Sequence, residues 1–313
     1  MPSRKRERKK RKNNKAKKSL RGFRKVLLFF ALLVLFIILL WVFVMPTKWD
    51  KQARLALAVS NNSEQGPISI LIFDPIGQSI TTISIPPNTE VSASHNLGSW
   101  PLGSIPALAK NEKLEGSLLP KTITKTLKFP VEHWADNDAN GFSSGGVRAL
   151  KAGLFPYKTS LTLKDKINLA FFALKSQTRE DIDLAKTSAL SKVELVGGGS
   201  GYKVRDNARS LSIAKLFSVS KISQDPPKIK ILSANKGSNI ENISQTIEVL
   251  GAKTYSLDSL VSEVSQTDCI IRADKETITS KLISNIYGCE FKETKLVNFD
   301  IEISFGDKFF ARF

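Results

Sequence analysis

Apolar residues fall along this 313-residue chain in three kinds of run. One is unbroken: residues 26–45, VLLFFALLVLFIILLWVFVM, hold no charge. A helix rising ~1.5 Å per residue carries such a run over ~30 Å, the thickness of a bilayer's hydrocarbon core, so it predicts a membrane-spanning helix. A second kind is short and β-branched: Leu55–Ser60, ISILIF (68–73) and SITTISI (Ser79–Ile85), the last two flanking Asp74-Pro75-Ile76-Gly77. These predict strands, the latter pair a hairpin, with ISILIF covered on both faces. The third kind recurs every three or four residues: Leu163, Ile167, Phe171 and Leu174; Ile240, Ile243, Ile247 and Leu250; Ile278, Leu282 and Ile286. Those spacings predict amphipathic helices, opened by Ser160 or Thr162 in the first case and closed by Gly251 and Gly288 in the others.

Between these runs, 92–106 reads as a loop, 108–127 as helix broken near Gly116, 129–134 as a strand and Leu211–Phe217 as a short helix. Residues 176–210 are too polar for assignment, and 220–227, ending in Asp-Pro-Pro, reads as a linker. The last 86 residues run β-α-β-α-β: KIKIL (228–232), a helix, CIIRA (Cys269–Ala273), a helix, then strict alternation of Val297, Phe299, Ile301, Ile303 and Phe305, with room for an extra strand near 254–257. The expected architecture is α/β: a basic cytoplasmic tail (1–25), a single transmembrane helix (26–45), an α/β domain with a mixed sheet (46–219), a linker (220–227) and a small α/β domain (228–313).

Charge sharpens this division. Fourteen Lys or Arg and one acid in the first 25 residues supply +13 of the formal +18, leaving only +5 for the other 288. The body is only mildly basic, and the tail beside an apolar run reads as topogenic, with N-terminus inside, 46–313 outside and Trp49 at the interface; the competing reading has the tail hold nucleic acid or anionic lipid. With two cysteines, Cys269 and Cys289, and two histidines, a structural zinc site has almost no ligands to draw on. Cys269 opens one predicted strand and Cys289 another; a disulfide is feasible if those strands are neighbours, and two buried thiols are the alternative.

The C-terminal residues then bring a family into view. KIKIL, a helix ending near VLGAKTYSL (249–257) and the closing FDIEISFGDKF (299–309) resemble the LytR C-terminal domain of envelope proteins, with Asp300, Gly306 and Phe309 in place and Ser233-Ala234 where the usual Asn-Gly turn would be. Upstream, ILIFDPIGQSITTISIPPNTEV (70–91), LKFPVEHW (127–134), Gly141-Phe142 and Gly145-Gly146-Val147 resemble the LytR-CpsA-Psr domain. That resemblance implies transfer of a glycopolymer from a polyprenyl diphosphate carrier to the cell wall, with arginines on the diphosphate and acids on a magnesium ion. Yet Pro87 and Asn88 stand where the family has Arg and Asp after Ile-Pro, and Gly66 where it has an acid. A guanidinium fork binds phosphate oxygens and a carboxylate holds magnesium; Pro and Gly do neither.

The expectation is accordingly a membrane-anchored bacterial cell-envelope protein, a non-catalytic binding or scaffolding relative of that family, with no cofactor. Its partners would be the lipid bilayer and cell-wall polymer or envelope assembly proteins, not nucleic acid. The alternative is an active transferase that uses magnesium and other residues. Arg205 and Arg209, in a stretch that resembles the family's arginine-rich segment, would share a helix face at i, i+4 and grip an anionic polymer, or else be solvated charges. Other groupings compete with bland readings. Gly141-Phe142-Ser143-Ser144-Gly145 has the spacing of a nucleophile elbow, but both histidines, His95 and His133, precede Ser143. The glycine run at 197–201 reads as a turn. Glu132, Asp136 and Asp138 crowd near His133 as oxygen and imidazole ligands might, or as an ordinary strand end. His95, Trp100 and Trp134 would stack on sugars, or pack.

Overall fold

The computed structural model describes residues 46–49, 51–61, 66–194, 199–205, 211–234, 238–259 and 268–313, with Phe29, Leu33 and Val44 upstream. The strands are β1 (Leu55–Ser60), β2 (Ile68–Asp74), β3 (Ser79–Ile85), β4 (Thr89–Ser92), β5 (Ser99–Pro101), β6 (His133–Asp136), β7 (Thr178–Asp183), β8 (Leu190–Glu194), β9 (Ser200–Val204), β10 (Lys228–Ser233), β11 (Lys253–Ser259), β12 (Cys269–Ala273), β13 (Glu290–Glu293) and β14 (Ile301–Phe305). The main helices are α1 (Ile105–Asn111), α2 (Leu118–Leu127), α3 (Gly146–Leu154), α4 (Leu163–Lys175), α5 (Leu211–Phe217), α6 (Ser238–Val249), α7 (Ile278–Tyr287) and α8 (Asp307–Arg312).

The first sheet has the order β6-β1-β2-β3-β7. Its middle is antiparallel (β1–β2–β3) and its edges are parallel pairs, β1 with β6 and β3 with β7. ISILIF is buried throughout, and its two faces feed different cores. Ile68, Ile70 and Ile72 meet Leu118, Leu119, Ile123 and Leu127 of α2; Leu71 and Phe73 meet Ala149 and Ala152 of α3 and Leu169, Ala170 and Ala173 of α4. Side-chain alternation at period two thus turns one apolar strand into the centre of a three-layer stack.

Helix α4 shows how the sequence fixes a start. Thr162 accepts from Asp165 N while Asp165 accepts back from Thr162 N, a reciprocal capping box. The same carboxylate accepts from Thr47 Oγ1 at 2.5 Å and from the backbone N–H groups of Lys48 and Trp49. Burial pushes this carboxyl up, but those hydrogen bonds from Thr47, Thr162, Trp49 and Lys48 prevail and hold it below its ordinary value. The chain therefore enters the fold nailed to the first turn of α4.

A second sheet, β5-β4-β9-β8, takes β4 from 89–92, β5 from within 92–106 and β8 and β9 from within 176–210, and the third, β11-β10-β14-β12-β13, is mixed, with β14 parallel to β10 and antiparallel to β12. Cys269 and Cys289, at the start of β12 and just before its parallel neighbour β13, are joined by a disulfide with Cα atoms 4.5 Å apart. The stretch 220–227 carries a short helix, Ser220–Gln224, whose Ile222 is buried in the third sheet's core. Phe129 stacks on Phe217 at 5.0 Å, and Val219 N donates to Leu250 O. Thr47–Phe313 is one compact unit, distinct from Met1–Pro46.

Two expectations are corrected. Among the described residues no helix is long and apolar enough to cross a membrane; of 26–45 only Phe29, Leu33 and Val44 are described, and the basic tail 1–25 lies outside the described residues. The transmembrane helix, the single-pass anchoring at the cytoplasmic membrane, the inside–outside topology and the envelope role derived from it are therefore withdrawn. The last strand is also shorter than its alternation implied: it begins at Ile301, and Val297 is 96% exposed.

Candidate functional site

At the β6 edge of the first sheet lies a cleft of about 740 Å³. Ser60 and Asn61 at the end of β1, Trp134 and Asp136 of β6 and Tyr157–Thr159 of the following loop form one side. Ala109 and Lys110 of α1, Lys113, Glu115 and Gly116 of the turn that follows, and Leu119 of α2 form the other. The parallel register of β1 with β6 sets Ala58 beside Trp134 and Ser60 beside Asp136, so both strand ends open into the cleft.

Local chemistry fixes each wall. Trp134 O accepts from Thr159 Oγ1 (2.8 Å) and Ser160 N (3.0 Å), and Asp136 N donates to Lys158 O (3.0 Å), so the loop is stitched to β6 as an added edge. A Cβ on Gly116 would sit 2.0 Å from Cε3 of Trp134; only glycine lets this backbone lie on the indole. Lys113 (φ 57°) and Glu115 (φ 50°) are both left-handed, a conformation costing a non-glycine residue ~1–2 kcal/mol. Two such residues in one cleft wall mark a turn held against its local preference, as functional sites often are.

Three lysines (Lys110, Lys113, Lys158) face two acids (Glu115, Asp136) around an apolar floor of Trp134, Leu119 and Ala109. Burial raises the Asp136 carboxyl, Lys158 offsets part of that, and Asp138 adds to it. The Tyr157 hydroxyl is buried without a partner among the described residues, and burial raises its pKa; Lys166 Nζ lies 4.2 Å above its ring. This arrangement can seat a molecule with an apolar body and a negative end.

Of the three positions where the chain departs from the LytR-CpsA-Psr pattern, two touch residues that line this cleft. A Cβ on Gly66 would meet Asn61 Nδ2 at 2.1 Å. Pro87 O accepts from Gly103 N at 2.8 Å, and Gly103, like Asn61, lines the cleft. Asn88 turns away, donating from Nδ2 to Ser200 O at 2.8 Å and tying β3–β4 to the second sheet. Among the described residues no group of three His, Cys, Asp or Glu converges.

Other expected groupings are dispersed. Arg205 follows strand β9 rather than lying in a helix; it is exposed, and its N–H donates to Ala189 O, so the shared helix face is corrected. Arg209 and glycines 197 and 198 lie outside the described residues. Ser143 Oγ donates to Asn140 O within its own helical turn. His133 is buried with Nδ1 3.3 Å from Ser160 Oγ; burial, with Lys48 nearby, holds its imidazole down to about 4 against a weaker pull from Asp165. Glu132 faces Asn285 of α7, and burial raises its carboxyl to about 8. Asp138 is exposed and acts on Asp136, whereas Glu132 is engaged with Asn285. Trp100 is 40% exposed on β5, and only Trp134 of the aromatic candidates enters the cleft. The three lysines escaped notice in the sequence because nothing in their spacing signals that a left-handed turn gathers them.

Several solved structures of the LytR-CpsA-Psr type are distantly similar to this chain. The crystal structure of B. subtilis TagT is 14% identical with a TM-score of 0.39, the match covering 55% of this chain and 93% of that one. A structure of the family protein YwtF (TagT) with bound octaprenyl pyrophosphate lipid is 15% identical, TM-score 0.37, covering 53% and 89%. A structure described as a transcriptional regulator from Enterococcus faecalis is 12% identical, TM-score 0.38, covering 65% and 90%. No family model matches the chain, and no curated protein does. The chemistry of the cleft is set by this chain's own residues.

Proposed function

We propose that this protein binds an anionic amphiphile in the β6-edge cleft and does no phosphoryl-transfer chemistry on it. The observation that carries this reading is the cleft itself, with Lys110, Lys113 and Lys158 around a floor of Trp134, Leu119 and Ala109. An ammonium supplies charge-assisted hydrogen bonds to phosphate oxygens, and an indole supplies flat apolar area with little rotamer entropy to lose. The sequence resemblance points to a prenyl diphosphate as the ligand class. The want of catalysis is supported by Pro87 and Gly66 beside the cleft: stabilising charge that develops on a transferring phosphoryl group takes guanidinium forks or a metal, and neither residue supplies them.

Calorimetric titration of the full chain with farnesyl diphosphate tests this, with farnesol and inorganic diphosphate as half-ligands. Farnesyl diphosphate should bind saturably and more tightly than either half, and Lys110→Ala with Lys113→Ala should weaken it by about tenfold or more, as expected for losing hydrogen bonds to a charged group worth ~1.5–3 kcal/mol. Absence of saturable binding overturns the cleft assignment. Release of inorganic phosphate with added magnesium overturns the non-catalytic part.

A further inference from the structure

Helices α3 and α4 lie side by side with their backbones close, since a Cβ on Gly153 would stand 2.5 Å from Ala170 Cβ. Their buried faces, Ala149, Ala152 and Gly153 on one and Leu169, Ala170 and Ala173 on the other, belong to the first sheet's core. At 100° per residue, Leu150 and Leu154 follow Gly153 outward on α3, and Leu174 and Phe171 follow Ala170 outward on α4. The two stripes meet over the seam between the helices, joined by Val147 and, just past the end of α3, Phe155. All six are exposed, from 37% at Leu150 to 82% at Val147. They stand out from the surface as no packing requirement of the fold explains.

The exposed charge carried by α3, α4 and the loop between them has one sign. Arg148 and Lys151 lie on the far flank of α3, and Lys175 lies at the end of α4, all exposed. Between residues 146 and 175 the sole carboxylate is Asp165, which is buried and committed to Thr47, Thr162 and the entering backbone. The seam spans ~20 Å by ~10 Å, on the order of 200–400 Å² given helix rise and spacing. That is well short of the ~800 Å² per partner of a specific protein interface, whereas protruding apolar side chains flanked by cations are what settle among lipid headgroups.

We infer that the α3–α4 seam docks peripherally on an anionic lipid surface, Val147, Leu154 and Phe171 entering the headgroup layer and Arg148 and Lys151 facing phosphates. The contact needs no helix that crosses the bilayer, and it is independent of the β6-edge cleft.

The test uses the full chain carrying Phe171→Cys, labelled with an environment-sensitive fluorophore, and a second preparation labelled at Val297→Cys, an exposed site in the C-terminal half; the native cysteines are already paired. Phosphatidylglycerol-rich vesicles should shift the Phe171 label to the blue and leave the Val297 label unmoved. Pure phosphatidylcholine vesicles should shift neither, and Arg148→Glu with Lys151→Glu should weaken the response by on the order of tenfold or more. Leu154→Cys provides the same readout should the first labelled variant fold poorly. The inference is overturned by no shift on anionic vesicles, by an equal shift of both labels, by an equal shift on neutral vesicles, or by a concentration-dependent shift without lipid, which would mean a second copy of the chain covers the seam.

Discussion

The two halves of the compact unit treat their apolar residues in opposite ways. The C-terminal half closes on itself: Phe309 and Phe313 of the last turn stack at 5.0 Å, Phe305 lies 4.6 Å from Phe309, and Tyr287 meets all three edge-on. Arg312 then locks α8 down through Asp268 and the carbonyl of Tyr287, and the Cys269–Cys289 disulfide joins the strands beneath. The N-terminal half buries both faces of β2 equally well but leaves a charged cleft at one sheet edge and an apolar seam on one helix pair. Stability and ligand chemistry are thus divided between halves, and a substitution that matters greatly to one should matter little to the other.

Phe309→Ala is the hardest test of that division. The ring is fully buried among four aromatic partners, so removing it should cost about 3–5 kcal/mol in denaturant unfolding. Farnesyl diphosphate binding under native conditions should be unchanged. A loss of binding in step with stability would show that the halves are coupled and would break the comparison.

The boundary between the halves has its own signature in pH. Glu132, from the N-terminal half, points at Asn285 and shares a small cavity with Lys48, Arg54 and Lys281. Its carboxyl titrates near 8 when folded, chiefly through burial, against an ordinary 4.5. Between those values the folded state holds the extra proton, so its contribution to stability is complete below 4.5 and is lost as pH rises toward 8. His133 acts oppositely between about 4 and 6.5, where the unfolded state binds the extra proton and stability rises with pH. The two slopes offset one another from 4.5 to 6.5, leaving Glu132 alone above. Stability should then fall by up to about 2 kcal/mol from pH 6.5 to 8, at ~1.4 kcal/mol per unit. Glu132→Gln, which cannot ionise, should flatten that limb in thermal melts; an unchanged slope would place the titration elsewhere.

What could be read from the sequence followed from physical signals that are local. The β2–β3 hairpin, the α4 cap and the helix carrying Ile240, Ile243 and Ile247 each announce themselves within a dozen residues, through period two, period 3.6 or a capping pair. The β7 strand, TREDID, was illegible because it is a polar, largely exposed edge whose only strand partner is β3, about 100 residues away. The apolar run at 26–45 gave length and composition alone, and among the described residues no helix is long and apolar enough to cross a membrane. Of the cleft, Trp134 was legible as a residue worth watching; Lys110, Lys113 and Lys158 were not, because their convergence depends on left-handed backbone at Lys113 and Glu115, two residue types that do not advertise it.

The smallest effect sharpens the picture of that turn. Glu115 bears backbone strain at φ 50° and is one of two carboxylates that line the cleft among the described residues. If its conformation is imposed by the packing of Gly116 on Trp134, rather than by anything its own side chain does, then Asn, which tolerates the left-handed region better, should be accepted there without rearrangement. Glu115→Asn should raise stability by a few tenths of a kcal/mol to about 1 kcal/mol, measured by urea unfolding. The same change removes a negative charge facing Lys110 and Lys113, so farnesyl diphosphate should bind severalfold more tightly at low salt, with the gain shrinking as salt screens the cleft. Weaker binding by this variant would mean that Glu115 orients a lysine rather than opposing the ligand, and the cleft's cations would then have to be regarded as a network held in place by its acids.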